Sequence, residues 1–377
     1  MTTDKFIPLM VPDIRQEDIE AVVTVLQSGM LIQGLKVEEL ENNIAKYLDV
    51  KYAIAVANGT ASLHLALIAL GFGHGDEVIV PAFSYIATAN VIELIGAIPV
   101  FVDIDINTFN INTDLIERAI SAKTKAILPV HEFGLACDIA RVCELAKKHN
   151  LWVIEDAACA LGASDKGKFA GTFGNIGSFS FHPRKAVTSG EGGMLVTNDE
   201  KLAKKLRILR NHGIEIQNGK MEFIEAGFNY RLTDFQAALV NSQLRRITTI
   251  LEYKNYLSTI YFTNLMDNKQ LKLPQVDTSK IHTWQSFHIV LENTINRDCL
   301  IEKLKLNGVG VNYGAQCMPY QIFYKRKYNL DCEKLYPEAL KAYKQGLVLP
   351  LYEKLDENNI KFVAEKLKEL TFDDQLL

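Results

Sequence analysis

The sequence predicts an α/β protein: a large domain on a mainly parallel seven-stranded sheet, followed by a smaller C-terminal α/β domain. Three observations lead there. Short apolar runs alternate with stretches of helical period. Several runs are rich in valine and isoleucine without polar alternation, as strands covered on both faces require. From about Thr233 the pattern changes to long, charge-bearing helical segments. The strand candidates are residues 52–57, 77–81, 99–103, 125–129, 151–155, 176–181 and 194–197, with helical stretches at 61–70, 113–120 and 138–148 between them. Ligands are then expected at the carboxyl ends of the strands.

The helical segment beginning at Thr233 leads into the second domain, which carries a strand over 282–291 and a closing helix over 357–370. The division is placed at residues 1–245, a large domain with an N-terminal arm, and 246–377, a small one. At 377 residues and 48% apolar content the chain has material for a sizeable core. A formal net charge of -4 argues against a general nucleic-acid binder. The six cysteines (137, 143, 159, 299, 317 and 332) form no C-x-x-C pair, which suits reduced thiols in a cytoplasmic protein better than a disulfide framework or metal site. The N-terminus lacks a signal-peptide pattern. Residues 52–73 carry no formal charge, but Asn58, Gly59, Thr60, Ser62 and His64 interrupt them. They read as a strand, a turn and a helix rather than a membrane span, which needs roughly 20 predominantly apolar residues.

Three motifs carry chemistry. Ala57-Asn58-Gly59-Thr60-Ala61-Ser62 follows a strand and opens a helix; its free N–H groups and hydroxyls suit a phosphate. Taken alone, it is equally an ordinary capped turn. In Val153-Ile154-Glu155-Asp156-Ala157-Ala158-Cys159 a strand ends in two carboxylates, and an acid there can pair with a pyridine nitrogen or cap a helix. In Ser178-Phe179-Ser180-Phe181-His182-Pro183-Arg184-Lys185, followed by Gly190-Glu191-Gly192-Gly193, Ser180 can donate to a phosphate. Lys185 sits where a partly desolvated amine can attack a cofactor aldehyde.

These motifs, in this order, resemble the DegT/DnrJ/StrS group of sugar-nucleotide aminotransferases, pyridoxal-phosphate (PLP) enzymes of fold type I. The likeness runs from Ile32-Gln33-Gly34 to at least Gly310. It includes Pro81-Ala82-Phe83-Ser84-Tyr85-Ile86-Ala87-Thr88-Ala89-Asn90, Val102-Asp103-Ile104-Asp105 and Gly227-Phe228-Asn229-Tyr230-Arg231. The resemblance implies that Lys185 holds PLP covalently and shuttles protons, and that Asp156 pairs with the pyridinium. It implies that Gly59, Thr60, Ala61 and Ser180 hold the phosphate, and that Tyr85 stacks on the ring. Asn229 would reach the phosphate of a neighbouring subunit's cofactor, making the active unit a homodimer. Cys159 stands where the group often has Gln or His against the cofactor hydroxyl, and a thiol is a poor donor. His182 serves either the sugar or a structural place beneath the cofactor. Arg231 orients an acidic donor or a diphosphate, or forms a surface ion pair. Tyr313 and Tyr320 are further substrate candidates, and the basic, aromatic 324–328 segment suits a diphosphate.

The reaction so implied is transamination from L-glutamate to a nucleotide-linked 4-keto-6-deoxyhexose, as in perosamine-synthase-like enzymes, through pyridoxamine phosphate. It would yield an amino sugar for polysaccharide, glycan or antibiotic synthesis. A 3-keto sugar is the competing substrate. A PLP-dependent sugar dehydratase, whose relatives replace the lysine with histidine, and a non-catalytic cofactor-binding regulator are the competing classes. The presence of Lys185, Asp156 and the phosphate turn together argues against both.

Overall fold

The computed structural model describes residues 6–372. All seven expected strands form: β1 (Tyr52–Val56), β2 (Glu77–Pro81), β3 (Ile98–Val102), β4 (Thr124–Ile127), β5 (Trp152–Asp156), β6 (Ile176–Ser180) and β7 (Gly193–Thr197). They make one sheet in the order β1-β7-β6-β5-β4-β2-β3. Every neighbouring pair is parallel except those of β7, which runs antiparallel to β1 and β6. The connection from β6 to β7, residues 181–192, contains no helix, so it turns back beside β6 instead of crossing over. That reversal brings the amino end of β7 to the edge where β1, β5 and β6 end.

Layers on both faces explain the missing polar alternation. Ile54, Val56, Val78, Val80 and Ile154 belong to one apolar core, and Ala53, Ala55, Met194 and Val196 to another on the opposite side. Each of the valine, isoleucine and methionine side chains contributes roughly 1.5–3 kcal/mol when fully buried. Helices α1 (Gln16–Ser28) and α2 (Leu35–Leu48) precede the sheet, and α3 (Gly59–Ala69) follows β1 directly. The Asp234 carboxylate accepts from the backbone N–H groups of Gly34 (2.7 Å), Lys36 (3.2 Å) and Val37 (3.0 Å), capping α2 from far along the chain.

The helical segment after Thr233 is two helices, α4 (Asp234–Leu244) and α5 (Ile247–Leu265). Arg246 breaks the run at φ -114°, ψ 15°, with its guanidinium turned onto the buried Asp18 carboxylate at 2.6 Å. Helix α5 packs into a third core with the strands Phe287–Leu291 and Gly346–Leu349 and the closing helix Glu357–Thr371; Ile7 of the N-terminal arm inserts there. The strand expected from 282 starts only at Phe287, because Trp284 adopts a left-handed φ of 48° with the His282 ring stacked on it at 3.9 Å. The helix expected over 113–120 reduces to a 3-10 turn and Ile116–Ala119.

The segment from Ala315 to Ala342 packs against the sheet core, with Tyr324 buried and its hydroxyl donating to Asn90 Oδ1 at 2.8 Å. A short ladder of Gln316–Cys317 with Phe83–Ser84 lays this segment across the carboxyl ends of the strands. Among the described residues, no helix is long and apolar enough to cross a membrane.

Candidate active site

A cavity of about 750 Å³ opens at the carboxyl edge of the sheet, walled by the starts of α3 and helix Ala87–Leu94, the ends of β5 and β6, and the 314–315 turn. Gly59, Thr60, Ala61, Tyr85, Asp156, Cys159, Ser180, His182 and Lys185 all line it.

One end is a backbone cradle. The Asn58 side chain caps α3 by accepting from Ala61 N–H at 2.8 Å, while Ser62 donates to Gly59 O at 2.7 Å. Gly59 and Thr60, whose N–H groups open the helix at the positive end of its dipole, line the cavity. Ser180, the last residue of β6, stands against this turn: a Cβ on Gly59 would lie 2.9 Å from Ser180 Cβ. A Cβ on Gly193 would lie 2.4 Å from Asn58 O, so the glycine opening β7 lets that strand pass the turn. A phosphate monoester fits this donor set.

The floor is made of side chains. Glu155 and Asp156 are consecutive on β5 and therefore point to opposite faces. Glu155 is fully buried and accepts from His131 Nε2 (2.9 Å), Gly171 N–H (2.8 Å) and Gly174 N–H (2.6 Å). The N–H of Cys137 donates to His131 Nδ1 at 3.1 Å, which leaves the ring proton on Nε2, directed at Glu155. Asp156 points into the cavity instead. Its Oδ2 accepts from Thr88 Oγ1 at 2.9 Å and its Oδ1 from Ala158 N–H at 3.2 Å. Burial raises its proton affinity; Thr88, Ala158 and the charges of Lys185 and His131 oppose that rise. Among the described residues no cation forms an ion pair with this buried carboxylate, so a protonated ring nitrogen matches it.

Lys185 follows β6 in a turn closed by its N–H donating to His182 O at 2.9 Å. Its Nζ reaches into the cavity and donates to Cys159 Sγ at 3.0 Å, so the amine and the acid floor share one space. Burial pushes the Cys159 thiol up, against the pull of Lys185. Desolvation and the neighbouring Lys185 hold the His182 imidazole below its ordinary range.

Of the other expected residues, Tyr85 lies in the cavity wall with 66% of its surface exposed. Asn229 is exposed, bridges Asn211 and does not line this cavity. Arg231 donates to Asn211 Oδ1 at 2.5 Å, also outside the lining. Tyr313 and Tyr320 lie outside it as well: Arg297 approaches the Tyr313 ring at 5.8 Å, and Lys325 and Lys344 approach Tyr320 at 5.1 and 5.5 Å.

Sequence reasoning passed over Thr88, Ser84, His64 and Glu132, all in the lining. Glu132 is the least expected. It is 5% exposed, and burial, with the nearby Asp156 charge, pushes its carboxyl up to about 8. A signal for it existed: a carboxylate five residues past the end of a core strand, Thr124–Ile127, where α/β ligands bind.

An amine beside a thiol, a buried acid and a helix-start phosphate cradle on this sheet define a PLP-dependent transferase of fold type I. Among the described residues no cluster suits a metal ion. The chain belongs to the DegT/DnrJ/EryC1/StrS aminotransferase family, which it matches over residues 12–368. It is 36% identical to a GDP-perosamine synthase of Escherichia coli O157:H7, covering 98% of this chain and 100% of that one. It is 43% identical to the GDP-perosamine synthase of Caulobacter vibrioides over 73% of this chain and 75% of the other. The PLP form of Spr1654 from Streptococcus pneumoniae superposes with a TM-score of 0.93 at 29% identity, over 99% of this chain and 100% of that one. The protein is therefore a sugar aminotransferase, and PLP is its cofactor.

Proposed function

We propose that this enzyme moves an amino group from L-glutamate to a nucleotide-linked 4-keto-6-deoxyhexose, yielding a nucleotide-linked amino sugar and 2-oxoglutarate. The observation that carries the chemistry is the Lys185 amine in the same cavity as the buried Asp156 carboxylate and the Gly59–Ala61 helix start. When bound, PLP supplies an aldehyde that condenses with primary amines and a ring that withdraws electrons from the adjoining carbon. Lys185 Nζ would hold it and, as a free amine, would take and return the α-proton. Asp156 holds the ring nitrogen protonated; Gly59 N–H, Thr60 N–H and Ser180 Oγ hold the phosphate. The preference for a nucleotide sugar and the 4-keto position draws on the two perosamine-synthase relatives.

The active unit is a homodimer in this reading: Asn229, exposed and outside the lining of its own cavity, serves the phosphate end of a second copy's site. The large and small domains part at residue 245, where α4 gives way to α5. A cytoplasmic location agrees with six unpaired cysteines. The substrate is tested by loading the enzyme with pyridoxamine phosphate and offering UDP-, GDP- and dTDP-linked 3- and 4-keto sugars, with mass spectrometry of the products. Amination of a 4-keto sugar is expected; turnover of 3-keto sugars alone overturns the regiochemistry.

A further inference from the structure

Among the residues expected at the cofactor, Asn229 alone lies outside the cavity lining, yet both its neighbours are held from the cavity wall. The Phe228 and Tyr230 rings stack at 4.8 Å and 13° on one side of an extended segment, which leaves Asn229 on the other. His64, a lining residue on α3, stands against both rings. Its ring centroid lies 5.2 Å from that of Phe228, edge-on, and its Nδ1 shares a 3.1 Å hydrogen bond with the Tyr230 hydroxyl. We propose that His64 is a positioning residue: it fixes the Phe228–Tyr230 segment so that Asn229 is set for the phosphate of the second copy's cofactor.

The main chain fixes the path of this segment. Phe228 N–H donates to Leu209 O at 2.7 Å and Tyr230 N–H to Arg210 O at 3.0 Å, while Phe228 O accepts from His212 N–H at 2.8 Å. Tyr230 O also accepts from Ala57 N–H at 2.8 Å, one residue before the Asn58 that caps α3. His64 lies on that same helix, about one turn beyond Thr60. The two sides of the proposed phosphate cradle thus grip one residue, Tyr230, by its carbonyl and by its hydroxyl. Among the described residues no hydrogen bond engages the Asn229 side chain, which is exposed, so its placement comes from its neighbours. His64 acts through Phe228 and Tyr230 on a residue that serves another chain's site. Loss of a merely structural side chain would weaken the cradle of its own subunit. Loss of a positioning side chain weakens the partner's site, and where the damage falls separates the two.

The inference rests on the proposed sharing of Asn229, and mixed dimers test the two separately. Chains bearing different affinity tags are unfolded, reassembled and purified through both tags, so that each dimer has one Lys185→Ala and one Asn229→Ala subunit. Only the Asn229→Ala subunit keeps Lys185 and can develop the absorbance of lysine-bound PLP, and its site takes Asn229 from the other chain. Titrating that absorbance with PLP gives the affinity of the one complete site. Adding His64→Ala to the Lys185→Ala chain, which lends Asn229, should weaken PLP binding roughly three- to tenfold, as loss of one hydrogen bond does. Placed in the Asn229→Ala chain instead, the same substitution should weaken it by a smaller factor. In the lending chain, His64→Asn, whose amide can still bond the Tyr230 hydroxyl, should recover most of the affinity, and Tyr230→Phe should reproduce the loss. Full affinity with His64→Ala in the lending chain, or an equal or larger loss with it in the Lys185-bearing chain, overturns the proposal. Mixed dimers with His64 intact that bind PLP no more tightly than Asn229→Ala homodimers would instead refute the sharing of Asn229.

Discussion

The two ends of the cavity are built on different principles. The proposed phosphate end is backbone: helix N–H groups, a glycine whose added Cβ would lie 2.9 Å from Ser180 Cβ, and a second glycine threading β7 past Asn58. The floor is side chain: buried carboxyls whose charge depends on hydroxyl bonds and on Lys185. Substitutions at the first end should act on affinity with no change in pH profile. Those at the second should act on rate and on pH dependence.

The largest break comes at Lys185. Lys185→Ala should lower turnover at least about 10³-fold while the protein still takes up PLP, as read by equilibrium dialysis. Asp156→Asn should follow, with kcat down about 10²–10³-fold and cofactor affinity changed far less. Gly59→Ala belongs to the other end. Its methyl group crowds Ser180, which costs about 1–3 kcal/mol, so PLP binds about tenfold more weakly with an unshifted kcat–pH profile. Complementation probes the proposed sharing of Asn229 between subunits. Lys185→Ala and Asn229→Ala chains, unfolded and reassembled together, should regain about a quarter of wild-type activity, since half the dimers are mixed and each has one complete site. Mixtures no more active than the separate variants would place Asn229 in its own subunit's chemistry or in none.

The smallest effect is on stability. Glu132 has an ordinary value of 4.5 and about 8 in the folded chain. Between these values the unfolded chain has released a proton that the folded chain retains, so folding takes one up. Stability therefore declines as pH rises from about 4.5 to about 8 and levels off above. Glu132→Gln should flatten that decline, visible as a Tm difference of a few degrees that grows from pH 5 to pH 8.

The same contrast explains what could be read from the chain. The sheet was legible because strands such as Val78–Val80 and Val153–Ile154 are apolar on both faces, and the cradle because glycine and capping residues mark turns locally. Lys185 and Asp156 were legible through motif order. Thr88 and Glu132 were not: Thr88 takes its meaning from a hydrogen bond to Asp156, 68 residues on, and Glu132 from a cavity assembled by distant segments. The break at Arg246 was hidden for a related reason: the carboxylate that turns it, Asp18, lies 228 residues away. Trp284 interrupted an otherwise extended pattern through a ring stack that no local periodicity encodes.

The most direct measurement is reduction of the PLP-loaded protein with borohydride, then digestion and mass spectrometry. The account predicts one cofactor-modified peptide, carrying the adduct on Lys185. An adduct on another lysine, or none at all, would contradict it.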